Sequence, residues 1–134
     1  MRQVFEFKDQ SDDQIDSASD VFKRVKKIDI DWGQENLIGF YLDSRNKLIT
    51  HGVLFMGSLN SCVVHPRKVF REAIKHNANS VIIAHNHPSN NCKPSKDDWD
   101  VYKKLKKAGK VVSIPVLDSV IFTKEVFYSM EEKE

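Results

Sequence analysis

Cysteine is nearly absent: Cys62 and Cys92 are the only two in 134 residues. That count excludes a disulfide-stapled scaffold and makes a reducing, cytoplasmic setting the simpler expectation. Glycine and proline are also scarce, at five and four, which excludes a collagen-like or low-complexity chain and predicts order along most of its length. No long uninterrupted apolar run occurs, and the opening MRQVFEFKDQ carries acidic residues where a leader would have a basic stretch followed by an apolar one. Neither a membrane span nor a signal peptide is expected. An excess of one charge is missing too: 21 Lys and Arg against 19 Asp and Glu give a formal +2, so total charge does not predict generic nucleic-acid affinity. At this length the chain fits one compact domain, and any site must be built on a single fold.

What is present is a set of short apolar segments separated by turn formers. A short alternating segment at residues 4–7 is followed by a polar, acidic loop over 9–16. Ser17 or Ser19 can cap a helix whose inward side includes Val21, Phe22 and Val25. The apolar run 37–42, the turn Asp43-Ser44-Arg45-Asn46 and the apolar stretch 48–55 predict strand, tight turn, strand. Residues 56–61 read as a bend. Pro66 fits the first turn of a helix to about Asn77 that gathers Val69, Phe70, Ala73 and Ile74 on one side, with Lys68, Arg71, Glu72 and Lys75 largely opposite. Val81-Ile82-Ile83-Ala84 suits a buried strand. Ser95 begins a helix with Val101, Tyr102, Leu105 and Ala108 inward and Gly109 as its C-terminal cap. Strands are expected over 111–117 and 120–122, with Pro115 marking an edge or an interruption. There is no internal repeat or interdomain linker, and the irregular alternation predicts an α/β fold with a central mixed sheet carrying helices on both faces.

The chemistry concentrates where the buried strand ends. His85 and His87 are two apart, so the period of a strand directs both imidazoles to one face. Asp98 follows in the first turn of the next helix, on the same inward side as Val101, Tyr102 and Leu105, where a carboxylate needs a partner. Two imidazoles and one carboxylate suit a divalent ion, and zinc accepts such N/O ligands while leaving a fourth position for water. Proton transfer then needs a nearby carboxylate; the candidate is Glu35, just before the strand at 37–42, a role that rests mainly on the family resemblance given below. Ser95 can cap the helix and can also donate a hydrogen bond to a developing oxyanion. Each piece has a plain alternative. Ser95-Lys96-Asp97-Asp98 is also the pattern of a capping box, the His pair alone fits surface histidines, and Cys92 could complete a closed structural site. It is the coincidence of strand, paired histidines and inward carboxylate that points to a metal.

The same residues resemble the JAB/MPN metalloprotease signature, an upstream Glu, then His-x-His, seven residues and Ser-x-x-Asp: here Glu35, His85-Asn86-His87, residues 88–94 and Ser95-Lys96-Asp97-Asp98. Within that superfamily the chain is similar to the RadC branch through Gln34-Glu35, Tyr41-Leu42-Asp43, Gly57-Ser58-Leu59-Asn60, His65-Pro66-Arg67, His85-Asn86-His87-Pro88-Ser89 and Pro94-Ser95. The likeness covers about 17–127. It implies a three-layer α/β fold with a central mixed, curved β-sheet flanked by helices. The implied organisation is an N-terminal strand or extended segment and acidic loop over 1–16, the RadC-like domain over 17–128 and a flexible tail over 129–134.

By resemblance, His85, His87 and Asp98 are zinc ligands, Glu35 is the acid/base carboxylate and Ser95 supports the water or the transition state. The implied activity is metallopeptidase or isopeptidase chemistry, in which zinc-activated water attacks an amide carbonyl of a protein or peptide substrate. Three departures stand out. Asn90 occupies a position where the branch usually has Gly, and Asn tolerates left-handed backbone better than most residues. Ser119 follows Leu117-Asp118 where the branch usually has His. The helix-hairpin-helix segment that often precedes this domain is missing from the sequence.

Two other functions compete. A metal-dependent nuclease or DNA-repair-associated factor would use the basic patch Lys103, Lys104, Lys106, Lys107 and Lys110, although that patch reads first as a solvated helix face opposite Val101, Leu105 and Ala108. A noncatalytic interaction domain would retain only a structural metal. Arg67 and His65, at the start of the first confident helix, can organise the cleft, bind an anion or simply cap the helix, and Trp99 can line the cleft or pack. Composition and motifs do not fix an oligomeric state.

Overall fold

The computed structural model describes residues 13–133. The strand expected at 4–7 and the first part of the acidic loop lie outside the described residues. The end of that loop joins the fold: Gln14 bridges Lys47 in antiparallel fashion, Ile15 N donates to Asn46 O at 2.8 Å, and Ile15 is buried.

Helix α1 (Ala18–Val25) starts at Ser17, whose hydroxyl oxygen accepts from Asp20 N at 3.3 Å, and it buries Val21, Phe22 and Val25. Strands β1 (Asn36–Leu42) and β2 (Leu48–Met56) form the expected hairpin. Its turn is held by Asp43 Oδ1, which accepts from Arg45 N at 2.8 Å and Lys47 N at 3.0 Å, while Asn46 takes a φ of 63°. Helix α2 (Pro66–Lys75) buries Val69, Phe70 and Ala73. Two positions beside that stripe differ from the periodic expectation: Glu72 is buried and Ile74 is 65% exposed. Both flank the stripe, so the roll of the helix decides which is covered, and spacing alone does not fix roll.

Strand β3 (Ser80–Asn86), helix α3 (Lys96–Val112), strands β4 (Val116–Phe122) and β5 (Phe127–Ser129) and the helical turn α4 (Met130–Lys133) complete the chain. Helix α3 runs past Gly109, the expected cap, to a left-handed Ser113 with φ 61°. Gly109 is needed for close packing instead, because a Cβ there would lie 2.6 Å from Ile114 O. Val111 and Val112 are therefore helical, and the two short strands expected around Pro115 are one continuous strand that Pro115 precedes. The Pro115 carbonyl accepts from Val81 N at 3.0 Å, so the proline lacks a donor but still feeds the sheet. β5 ends at Ser129, the first residue of the expected tail, and Met130 after it is buried.

The sheet order is β2-β1-β3-β4-β5, with β3 and β4 parallel and the other neighbours antiparallel. The inner strands β1 and β3 are buried along their whole length, which explains why their sequences run apolar without alternation. One face carries Leu37, Tyr41, Val81 and Ile83 against Val69, Phe70, Val101, Tyr102 and Leu105 of α2 and α3. The other carries Ile38, Phe40, Ile82, Ala84, Val120 and Phe122 against Val21, Phe22 and Val25 of α1. The three-layer arrangement is as expected, and the expected curvature is corrected. The sheet is open and not curled, with β2 and β5 as separate edges and no ladder joining them among the described residues. Helices cover both faces, so the sheet does not need to roll up to bury either one. Among the described residues no helix is long and apolar enough to cross a membrane.

Candidate metal centre

Alternation along β3 puts Val81, Ile83 and His85 on the α2/α3 face and Ile82, Ala84 and Asn86 on the other. His87 lies just beyond the strand, but its N–H donates to Phe122 O at 3.1 Å and carries the alignment one residue further. Asp98 is the third residue of α3. It forms a reciprocal capping box with Ser95: Asp98 N donates to Ser95 Oγ at 3.1 Å and Ser95 N donates to Asp98 Oδ2 at 2.7 Å. The capping reading and the ligand reading are thus two uses of one geometry, since the cap turns the carboxylate toward the histidines. His85 Nε2 lies 2.9 Å from Asp98 Oδ1, and His87 Nε2 lies 3.1 Å from Asp98 Oδ2. The two Nε2 atoms are 3.1 Å apart. Ligand atoms of Glu35, His85, His87 and Asp98 all lie within 4.8 Å of one another.

This packing has an electrostatic signature. His87 Nδ1 is 2.8 Å from Asn91 O, and a carbonyl only accepts, so Nδ1 carries the hydrogen. In neutral His87 the Nε2 lone pair then faces Asp98 Oδ2 and His85 Nε2. His87 Nε2 and Asp98 Oδ2 are then two acceptors 3.1 Å apart, which need a proton or a cation between them. Burial acts most strongly on Asp98 and would raise its pKa, but hydrogen bonds from His85 and His87 and from Ser95 N outweigh it and hold the carboxyl well below its ordinary range. His87 is raised, first by its hydrogen bond to Asp98, with burial opposing and Asn91 assisting. Two imidazoles, one of fixed tautomer, and an ionised carboxylate form a donor set that fits a divalent ion such as zinc.

Glu35 approaches from a different element, the segment entering β1. Burial raises its pKa, with His85 and His87 pulling the other way. Its position is set by a residue that sequence reasoning passed over. Asn86, the middle of the His-Asn-His triplet, is fully buried. Asn86 Oδ1 accepts from Asn36 N at 2.8 Å and from Asn36 Nδ2 at 3.1 Å, and Asn86 Nδ2 donates to Gln34 O at 2.9 Å. The backbone on both sides of Glu35 is therefore clamped to the strand that carries the histidines. Gly57 N donates to Glu35 O at 2.9 Å, from a φ of 102° that favours glycine. The available signal was period two: if the histidines face one layer, the residue between them must face the other and needs buried partners.

Other expected features fall as follows. Ser95 caps α3, and a hydroxyl that accepts still has one hydrogen to donate. Asn90 takes a left-handed φ of 40° where the related pattern has glycine. The Cys92 side chain packs against the α2/α3 apolar layer, as does Trp99, whose ring centroid is 6.4 Å from that of Tyr102. Ser119 is buried, and its N–H donates to Asp118 Oδ1 at 2.7 Å. In the basic patch, Lys104 Nζ donates to Ser61 O and Lys106 Nζ sits 5.1 Å over the Tyr102 ring.

Fold and cluster together define an α/β domain with a candidate metal-binding site. The chain belongs to the RadC-like JAB domain family of the JAB/MPN superfamily, which it matches over residues 15–134. It is 46% identical over 100 residues to a UPF0758 protein of Geobacillus thermodenitrificans, covering 75% of this chain and 44% of that one. It is 45% identical over 120 residues to a UPF0758 protein of Clostridium perfringens, covering 90% of this chain and 53% of the relative. The chain spans about half the length of the curated relatives it matches.

Proposed function

We propose that this protein is a zinc-dependent hydrolase of amide bonds, a metallopeptidase or isopeptidase, with His85, His87 and Asp98 as metal ligands. The observation that carries the reading is the convergence of His85 Nε2, His87 Nε2 and the Asp98 carboxylate within 3.1 Å of one another's nearest ligand atoms, with Glu35 beside them. A divalent ion held there would supply Lewis acidity toward a carbonyl oxygen and bring the pKa of water down to about 7.

The chain's own residues supply the rest. Glu35, desolvated and fixed beside the cluster, takes a proton from the attacking water and returns it to the departing amine nitrogen. Its raised pKa matches it to a task near neutral pH better than an ordinary carboxylate would be. The Ser95 hydroxyl donates to the carbonyl oxygen as negative charge develops on it. Asn86 and Gly57 keep the Glu35 backbone from drifting, which matters because a misplacement of about 1 Å can cost on the order of 100-fold in rate.

The test is a panel of peptide and isopeptide substrates assayed with zinc-loaded wild type and Glu35→Gln. Hydrolysis by the wild type that collapses in the variant while zinc content is retained supports the reading. Equal rates for the two proteins would remove Glu35 from the chemistry, and zinc binding without hydrolysis across the panel would leave a metal-stabilised interaction domain.

A further inference from the structure

Apart from the metal centre, the α2/α3 face of the sheet carries an open-sided cavity of about 420 Å³ lined by Phe55, His65, Arg67, Lys68 and Arg71. Phe55, on β2, forms its apolar wall, and Lys68 Nζ lies 5.7 Å over that ring. Arg67 and Arg71 are exposed. The lining carries three cationic side chains and no carboxylate among the described residues, and Arg71 Nε meets the buried Glu72 at 3.4 Å. The cavity sits at the start of α2, where His65 occupies the cap position and makes no side-chain capping bond. The positive end of that helix adds to the field.

Register gives this cavity its meaning. Leu37 pairs with Phe55 on one side and with His85 on the other. Phe55, Leu37 and His85 therefore form one row across the sheet; Leu37 and Phe55 belong to the cluster under α2 and α3, and His85 shares its side of β3 with Val81 and Ile83 of that cluster. Neighbouring strands are about 4.8 Å apart, so the cavity wall lies roughly 10 Å from the metal ligand, and an extended peptide covers that span in about three residues.

We propose that this cavity is a substrate subsite that takes an acidic side chain about three residues from the scissile bond. The inference rests on the hydrolase reading above and names its substrate class: peptides carrying Asp or Glu at that distance. A local pocket with an aromatic wall and two arginines four residues apart on one helix suits a carboxylate side chain. A nucleic-acid strand would call for a continuous track of cations, and in the lysine patch of α3 Lys104 and Lys106 are already engaged within the chain.

The test uses the zinc-loaded chain of residues 1–134 and fluorescence anisotropy with three probes: a short blocked peptide rich in Glu, its Gln counterpart, and an oligothymidylate of matching charge. The Glu peptide is expected to bind about tenfold tighter than the Gln peptide, and the preference disappears in Arg67→Gln/Arg71→Gln. Arg67→Glu/Arg71→Glu should reverse it toward a Lys-rich peptide, a gain that a misfolded variant cannot mimic. Equal binding of the Glu and Gln peptides, an unchanged preference in the variants, or preferential binding of the oligothymidylate would overturn the proposal. Fluorogenic versions of the same peptides separate the two claims: preference without any cleavage sinks the hydrolase reading, and cleavage without preference sinks the subsite.

Discussion

Two aspartates, Asp98 and Asp118, are almost equally hidden from solvent, at 5% and 8% exposure, yet their electrostatics are opposite. Asp118 accepts from Ser129 Oγ at 2.6 Å, Glu131 N at 2.9 Å and Ser119 N at 2.7 Å. Burial still dominates, and its pKa is raised. Asp98 faces two imidazole nitrogens, and its pKa is held far down. The difference lies in the partners. Neutral donors with no further demand satisfy Asp118 and tie β4 to the chain end, whereas the partners of Asp98 are two imidazole nitrogens, each able to take up a proton or a cation. Burial of an acid does not mark a metal site; unsatisfied partners do.

The sharpest way to break the comparison is to remove each aspartate in turn. Asp98→Ala should lower zinc affinity by more than the ~10–100-fold that loss of an outer hydrogen-bond partner costs, while Asp118→Asn should bind zinc as the wild type does. Metal titration against a chromogenic chelator reads both, and similar affinities would erase the distinction. Next in size is Glu35→Gln, expected to cut kcat by about 10² to 10⁴ with zinc retained. Asn86→Ala follows: leaving the buried Asn36 N without its acceptor should cost about 1–3 kcal/mol of stability and reduce turnover with zinc still bound. Unchanged turnover in a folded Asn86→Ala protein would show that Glu35 does not need its clamp. Asp118→Asn should lose about 1–2 kcal/mol in denaturant unfolding, since one of its acceptor oxygens is kept.

Protonation gives the smallest and most diagnostic contrast. His87 has a folded-state pKa above its ordinary 6.5, so in metal-free protein its contribution to stability is complete below 6.5 and is lost as pH rises through the raised value. Asp98 contributes above its ordinary 3.8 and loses that contribution only as pH falls toward its depressed value. Metal-free protein should therefore lose Tm as pH climbs past the His87 titration. Zinc competes with that proton, so its stabilisation should grow over the same range. Parallel pH profiles for the two forms would mean that zinc and the proton do not share a site.

Much of the fold was legible because local signals agreed. The Asp43–Asn46 turn lay between two apolar runs, Ser17 preceded an amphipathic helix, and the unalternating run of β3 announced a buried strand. Errors arose where tertiary packing decided. Gly109 looked like a cap and is a contact point with the Ile114 carbonyl. The roll of α2 exchanged Glu72 for Ile74. Sheet curvature depends on how all the layers pack, which no single segment encodes. At the site, spacing brought out His85, His87 and Asp98, and motif resemblance brought out Glu35. Asn86 was hidden because its partners, Gln34 and Asn36, are about fifty residues away in sequence.

The central claim is that two imidazoles and one carboxylate leave an ion with a replaceable ligand, and X-ray absorption at the zinc edge of the loaded protein tests it most directly. The account predicts one zinc per chain with nitrogen and oxygen neighbours only, at about 2.0–2.2 Å, and a spectrum unchanged by Cys92→Ser. A sulfur neighbour near 2.3 Å that vanishes in Cys92→Ser, or zinc that stays bound in His85→Ala, would contradict it.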